Sequence, residues 1–169
     1  ISAEDAAAAA GRVVLTDNER EAAERCDLLI ESVPEDPALK REVLSRFNEL
    51  CPAHTVFTTN TSMLLPSMLS EATGREDRFS AFHFHLPIWL SNVADIMPHP
   101  KTSRETISIL ESFARSINQI PLVLKKEKSG YVFNTMLSAI IRSALSLAER
   151  DVASVEDVDR AWMGIMKTP

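Results

Sequence analysis

Glycine is scarce in this 169-residue chain: Gly11, Gly74, Gly130 and Gly164 are the only four. No two of them fit one GxGxxG, so these residues lack the closely spaced glycines that cradle a pyrophosphate before a helix N-terminus. There are two cysteines, Cys26 and Cys51, with no CxxC. That usage suits unpaired thiols in a reducing compartment and a cytoplasmic location. Basic residues are also in deficit, 18 Lys and Arg against 24 Asp and Glu, for a net charge of −6 and a pI near 5.2. Neither nucleic acid nor an anionic membrane has a basic stripe to bind. No apolar run approaches the ~20 residues that span a bilayer. The opening ISAEDAAAAAGR has neither the basic nor the apolar region of a signal peptide. It reads as the tail of a helix stopped at Gly11, and Lys167–Pro169 also ends without a closing element, so the chain is expected to be a fragment of something longer.

What remains is 45% hydrophobic and 25% charged, enough for one good core or two small ones. Three of the four histidines and one isolated carboxylate fall in Phe79–His99, FSAFHFHLPIWLSNVADIMPH. With a period of two, Ala81, His83 and His85 point one way and Phe82 and Phe84 the other, as in a strand showing a polar face to a cleft. A second strand, Val93–Met97, offers Asp95. An imidazole beside a carboxylate suits a general base, because the carboxylate fixes the tautomer and stabilises the imidazolium. Two other readings stand beside this one. A structural histidine next to a surface aspartate is the plainer, and a metal set of His83, His85, Asp95 and His99 is the other, although no local spacing matches a known zinc pattern and no metal is expected.

Elsewhere, Arg12–Thr16 predicts a short strand and Asn18–Arg25 a short helix. The apolar run Asp27–Val33 suits a strand buried on both faces, as in a parallel sheet. Asp36 caps a helix with Pro37 at its first position and a stripe of Leu39, Val43, Phe47 and Leu50. Thr55–Thr59 closes a β-α-β unit, which places Asn60-Thr61-Ser62 and Ser32–Glu35 at the carboxyl edge where open α/β sheets bind ligands. Leu65–Glu71 predicts a short helix. Thr102 with Glu105 predicts a capping box for a helix burying Ile107, Leu110 and Ile117, followed by a strand over Ile120–Leu124. The charged run Lys125–Lys128 marks a boundary. Beyond Gly130 a broad apolar stripe, including Phe133, Leu137, Ile140 and Ile141, predicts a helix of about 18 residues with Asn134 in its first turn. Only one short helix, capped by Ser154 and carrying Trp162, remains to cover it. The Ile140 face and Trp162 are therefore expected to meet a partner chain or further residues.

DLLIESVPED with Lys40, TTNTS (Thr58–Ser62), the HF of His83 and Phe84, ADIMPHPKTS (Ala94–Ser103) and SGYVFN (Ser129–Asn134) occur in order, and together they resemble the L-3-hydroxyacyl-CoA dehydrogenase family. The resemblance implies an α/β fold: residues 1–125 an incomplete, NAD-binding Rossmann-type domain without its glycine-rich first unit, and 126–169 the start of an all-α dimerisation domain. It implies NAD as cofactor, a small-molecule substrate (3-hydroxyacyl-CoA or a related hydroxy acid), a homodimer, and no nucleic-acid or membrane partner. His83 falls where the family has its base, Asp95 where a glutamate orients that base, and Ser62 and Asn134 where the substrate oxygen is bound. Ser32, Val33, Glu35, Lys40 and Asn60 fall at the nicotinamide. Three departures stand out: Met63 replaces the second serine of NTSS, HFHLP replaces HFFNP, and Asp95 is one methylene shorter than glutamate. They bring the chain closer to a branch that includes gulonate dehydrogenases and diketo-ester reductases. As a fragment it is expected to bind NAD weakly or not at all, and a non-catalytic binding or assembly module is the alternative function.

Overall fold

The computed structural model describes residues 2–167 and divides them into two compact units, one up to Glu127 and one from Lys128. In the first unit five strands form one sheet in the order β1 (Leu28–Glu31), β2 (Val56–Thr59), β3 (Phe79–Phe84), β4 (Val93–Pro98) and β5 (Ile120–Val123). Strands β1, β2 and β3 run parallel, β4 runs antiparallel to β3, and β5 is parallel to β4. Pro121 lies in the edge strand β5, where a missing backbone donor costs no ladder bond.

The crossover from β1 to β2 is a helix because its sequence starts and stops one cleanly. Asp36 Oδ1 accepts from Ala38 N at 2.7 Å, Pro37 occupies the first turn, and the helix (here α3, Pro37–Leu50) ends at Cys51. Leu44 and Phe47 pack with Leu29, Phe57, Leu69 and Phe79 in one core cluster. The other side chains of the same strands, Leu28, Val56 and Phe82, join Ala94, Ile96, Leu110 and Ala114 in a second. Leu110 and Ala114 come from α4 (Arg104–Ser116). The alternation along each strand thus feeds two apolar layers. Cys51 lies in the first layer beside Cys26, and burial, with a smaller push from Cys26, raises its thiol to about 11.

Two shorter helices precede β1: α1 (Ala3–Ala10), capped by Ser2, and α2 (Glu19–Ala23), capped by Asn18. The strand expected at Arg12–Thr16 does not form. Val13, Val14 and Leu15 are exposed, and among the described residues no strand pairs with the outer edge of β1, so the segment has no ladder to join. The helix expected at Leu65–Glu71 is instead two 3₁₀ turns, Pro66–Met68 and Ser70–Thr73. The cap of α4 is Ser103, whose Oγ accepts from Thr106 N at 3.1 Å, and not Thr102, whose hydroxyl donates to Phe79 O at 2.7 Å.

The second unit contains α5 (Phe133–Glu149) and α6 (Val155–Met166, capped by Ser154), and neither helix has a buried residue. Ile140 and Trp162 are 41% and 38% exposed, so the apolar face read from the sequence stays open. No helix among the described residues is long and apolar enough to cross a membrane.

Gly74 closes the second 3₁₀ turn at φ +63°, and a Cβ there would stand 2.3 Å from Asn48 Nδ2. The Asn48 amide is already committed, since its Oδ1 accepts from Arg75 Nε at 2.8 Å while the Arg75 guanidinium lies 4.4 Å from the centre of the Phe57 ring. Gly74→Ala is therefore expected to destabilise the fold by about 1–3 kcal/mol, from the left-handed backbone and the displaced amide together. Urea denaturation would measure the change.

Candidate active site

Strand β4 turns back against β3 in a register that sets His83 directly opposite Asp95. Opposed residues of an antiparallel pair share a face, so backbone pairing alone brings the two side chains together. His83 Nδ1 lies 3.4 Å from Asp95 Oδ2, and both residues are buried, 6% and 1% exposed. His85, two residues on and on the same face, places its Nε2 2.8 Å from the same Oδ2. The two rings meet edge to face with centroids 4.9 Å apart.

A carboxylate only accepts, so each imidazole nitrogen facing Asp95 carries a proton. For neutral His83 this fixes the Nδ1–H tautomer and leaves a lone pair on Nε2. Ser62 Oγ stands 3.2 Å from that nitrogen, at the exposed carboxyl edge beyond β2. Asn60 Oδ1 accepts from Phe84 N at 3.0 Å and ties the β2 exit to the backbone between the two histidines. Carboxylate, imidazole and hydroxyl thus lie in line at one mouth.

The loop carrying Ser62 is shaped by Thr61, whose Oγ1 accepts from Leu64 N at 2.9 Å and donates to Glu35 Oε1. Glu35 Oε1 also accepts from Met63 N at 3.2 Å. Burial, the largest single influence, works to raise the Glu35 carboxyl, but the Thr61 hydroxyl, the Met63 amide and the Lys40 charge outweigh it and hold it below its ordinary value.

Beneath this edge Lys40 is buried, with Nζ 2.8 Å from Glu31 Oε1, 3.0 Å from Val33 O and 3.4 Å from Glu35 Oε2. The Glu31 carboxylate also accepts from Val33 N (2.7 Å) and Thr59 Oγ1 (2.7 Å). Val33, Glu35 and Lys40 therefore form one bonded cluster at the carboxyl end of β1, with Ser32 exposed beside it. Glu31 is its centre and was not singled out in the sequence, where it looked like one more residue of an apolar strand. The cluster is a preset polar rim across adjacent parallel strand ends, the edge where open α/β sheets bind ligands. His99 takes no part in the site: Glu76 O accepts from its Nε2 at 2.9 Å, and its Nδ1 accepts from Lys101 N at 3.4 Å. Asn134 belongs to the second unit, in the first turn of α5.

Residues 1–128 match the model of the 3-hydroxyacyl-CoA dehydrogenase NAD-binding domain, and residues 130–169 match that of the C-terminal domain. The chain belongs to the 3-hydroxyacyl-CoA dehydrogenase family. It is 35% identical over 135 residues to the mitochondrial hydroxyacyl-coenzyme A dehydrogenase of Sus scrofa, covering 80% of this chain and 43% of that one. It is 38% identical to the L-carnitine dehydrogenase of Bacillus cereus, covering 80% and 41%. A solved diketoreductase, which acts on dicarbonyl compounds, superposes with a TM-score of 0.91 at 40% identity, covering 97% of this chain and 58% of that chain. The chain thus spans about half the length of these family members, and NAD is the cofactor of the domain it matches.

Two outcomes test the scaffold. Lys40→Met leaves the Glu31 carboxylate buried and uncompensated and is expected to cost about 3–5 kcal/mol, whereas the double change with Glu31→Gln costs less. A double-mutant cycle in urea measures the difference. Because the Glu35 carboxyl is depressed, its contribution is present above its ordinary value of 4.5 and is lost as pH falls through the lower folded value. Glu35→Gln should therefore destabilise at neutral pH, with the gap closing below pH 4.5 in denaturation series.

Proposed function

We propose that the whole protein is an NAD-dependent oxidoreductase that interconverts a 3-hydroxyacyl compound, as a thioester or free acid, with its 3-keto form. The observation that carries this is the buried His83–Asp95 pair with Ser62 at the outer nitrogen of the imidazole. His83 Nε2 accepts the proton of the substrate hydroxyl, and Asp95 orients the ring and stabilises the imidazolium that results. Ser62 bonds the substrate oxygen as it becomes a carbonyl, a role the family pattern also gives to Asn134. A preorganised donor at such an oxygen typically contributes ~3 kcal/mol to lowering the barrier. Bound NAD supplies the acceptor for the hydride leaving the carbon, and Ser32, Val33, Glu35, Lys40 and Asn60 hold its nicotinamide half.

Free hydroxy acids or diketo esters are the favoured substrates within this class. His85 and Leu86 replace the Phe and Asn of the family pattern, and both an L-carnitine dehydrogenase and a diketoreductase stand among the similar proteins. The open apolar face of α5 and α6 suits a homodimer, and the unpaired thiols suit the cytoplasm. In the whole protein, His83→Gln is expected to keep NAD binding and lose ~10²–10⁴ in turnover, the span of a general base. Stopped-flow NADH formation, with 3-hydroxybutyryl-CoA compared against L-carnitine and L-gulonate, measures both the loss and the substrate preference. Undiminished turnover in the variant would remove His83 from the mechanism.

A further inference from the structure

The proton-transfer reading uses one imidazole on Asp95, yet the structure places two there. His85 Nε2, at 2.8 Å, is nearer to Asp95 Oδ2 than His83 Nδ1 is, at 3.4 Å. One ligand atom from each of His83, His85 and Asp95 lies within 4.8 Å of the others. We propose that these three side chains form a binding site for a divalent transition-metal ion of the zinc type, and that the ion competes there with the protons that hold His83 in its basic form. The ion site rests on this geometry alone; the loss of His83 as a base on occupation rests on the function proposed above.

Two imidazole nitrogens and one carboxylate oxygen are a donor set that Zn²⁺ takes in sites keeping a fourth position open for water. A tetrahedral ion with bonds of about 2.0 Å spaces its ligand atoms roughly 3.3 Å apart. The 3.4 Å separation of His83 from Asp95 already matches, the 2.8 Å hydrogen bond from His85 has to open by about half an ångström once its proton is gone, and the two imidazole nitrogens, within 4.8 Å of each other, have to take up that same spacing. The ion would replace the two N–H protons now directed at Asp95, and the carboxylate would balance part of its charge in a buried setting.

The surroundings are built for such an ion as well. A ligating histidine usually donates its other N–H to a polar neighbour, and Ser62 Oγ stands 3.2 Å from His83 Nε2 in the place to receive it. The β3–β4 register fixes His83 against Asp95, and the bond from Phe84 N to Asn60 pins the backbone between the histidines. The His85 side chain is 13% exposed, which gives the site a way in. His99, engaged with Glu76 O and Lys101 N, does not join, so the protein supplies three ligands and not four. A metal on His83 Nδ1 forces the proton onto Nε2, which removes the lone pair that would accept a substrate proton. Occupation of the site therefore switches the base off, and His85 creates the susceptibility, because a phenylalanine at that position would leave only two ligands.

The test uses the 169-residue chain with Zn²⁺ and Co²⁺ as probes. Equilibrium dialysis is expected to show one zinc per chain, and Co²⁺ to give the visible absorption of a tetrahedral nitrogen and oxygen site. Imidazole ¹⁵N spectra of the unmodified chain should show Zn²⁺ shifting His83 Nδ1 and His85 Nε2, with His54 and His99 unmoved. His85→Phe, which retains the His83–Asp95 pair, should weaken zinc binding by at least about 10–100-fold, the loss that follows even from removing a supporting partner of a ligand. His54→Gln and His99→Gln should not change it. No zinc bound by the unmodified chain, binding that survives His85→Phe, or ¹⁵N shifts at other histidines would each overturn the proposal, and the spectra decide the matter without any variant having to fold.

Discussion

The antiparallel register between β3 and β4 is the constraint on which the site depends. Every other neighbouring pair in the sheet is parallel, and evenly slanted parallel bonding gives no directly opposed pair of this kind. By reversing direction between β3 and β4 the sheet places His83 and Asp95 face to face while Phe82 and Ile96, on the opposite side, stay in the apolar layer. The carboxylate reaches the imidazole because backbone hydrogen bonds put it there, with no flexible segment to order. That pairing holds the short aspartate side chain 3.4 Å from the imidazole.

A second set of bonds keeps the ligand edge from sagging. Glu31, at the end of β1, receives Lys40 from α3, Thr59 from β2 and the Val33 amide from its own loop, so helix, strand and loop converge on one carboxylate. Glu35 continues the chain of bonds to Thr61 and Met63, which flank Ser62. Ser62 and the Glu31 cluster are thus coupled, and a disturbance of the buried lysine reaches the His83–Asp95 mouth through two carboxylates.

Much of this was legible in the sequence for a definite reason: patterns with local causes survive. Asp36-Pro37 started a helix, alternation in FSAFHFH set His83 and His85 on one face, and the stripe from Phe133 made α5. Readings failed where the outcome depended on partners outside the segment. Arg12–Thr16 has strand chemistry but no ladder to join, and Leu65–Glu71 contains Pro66 and is drawn into 3₁₀ turns that end at Leu69 and Gly74. Ser103 displaced Thr102 as a cap because the threonine hydroxyl was claimed by Phe79 O, 23 residues away in sequence. The hub role of Glu31 was invisible for the same reason, since its three donors come from residues 33, 40 and 59.

The segment between β3 and β4 is held differently from the strands it joins. Leu86, Trp89 and Leu90 stand 82%, 82% and 76% exposed, while the paired residues on either side are fixed by the ladder. A residue gained or lost inside β3 would turn His83 toward the Phe82 layer and end its meeting with Asp95. The same change in the connecting segment leaves the pair untouched and alters only what projects from the rim. Lineages that share this sheet can therefore vary the shape of the rim through that segment while the His83–Asp95 pairing is inherited unchanged.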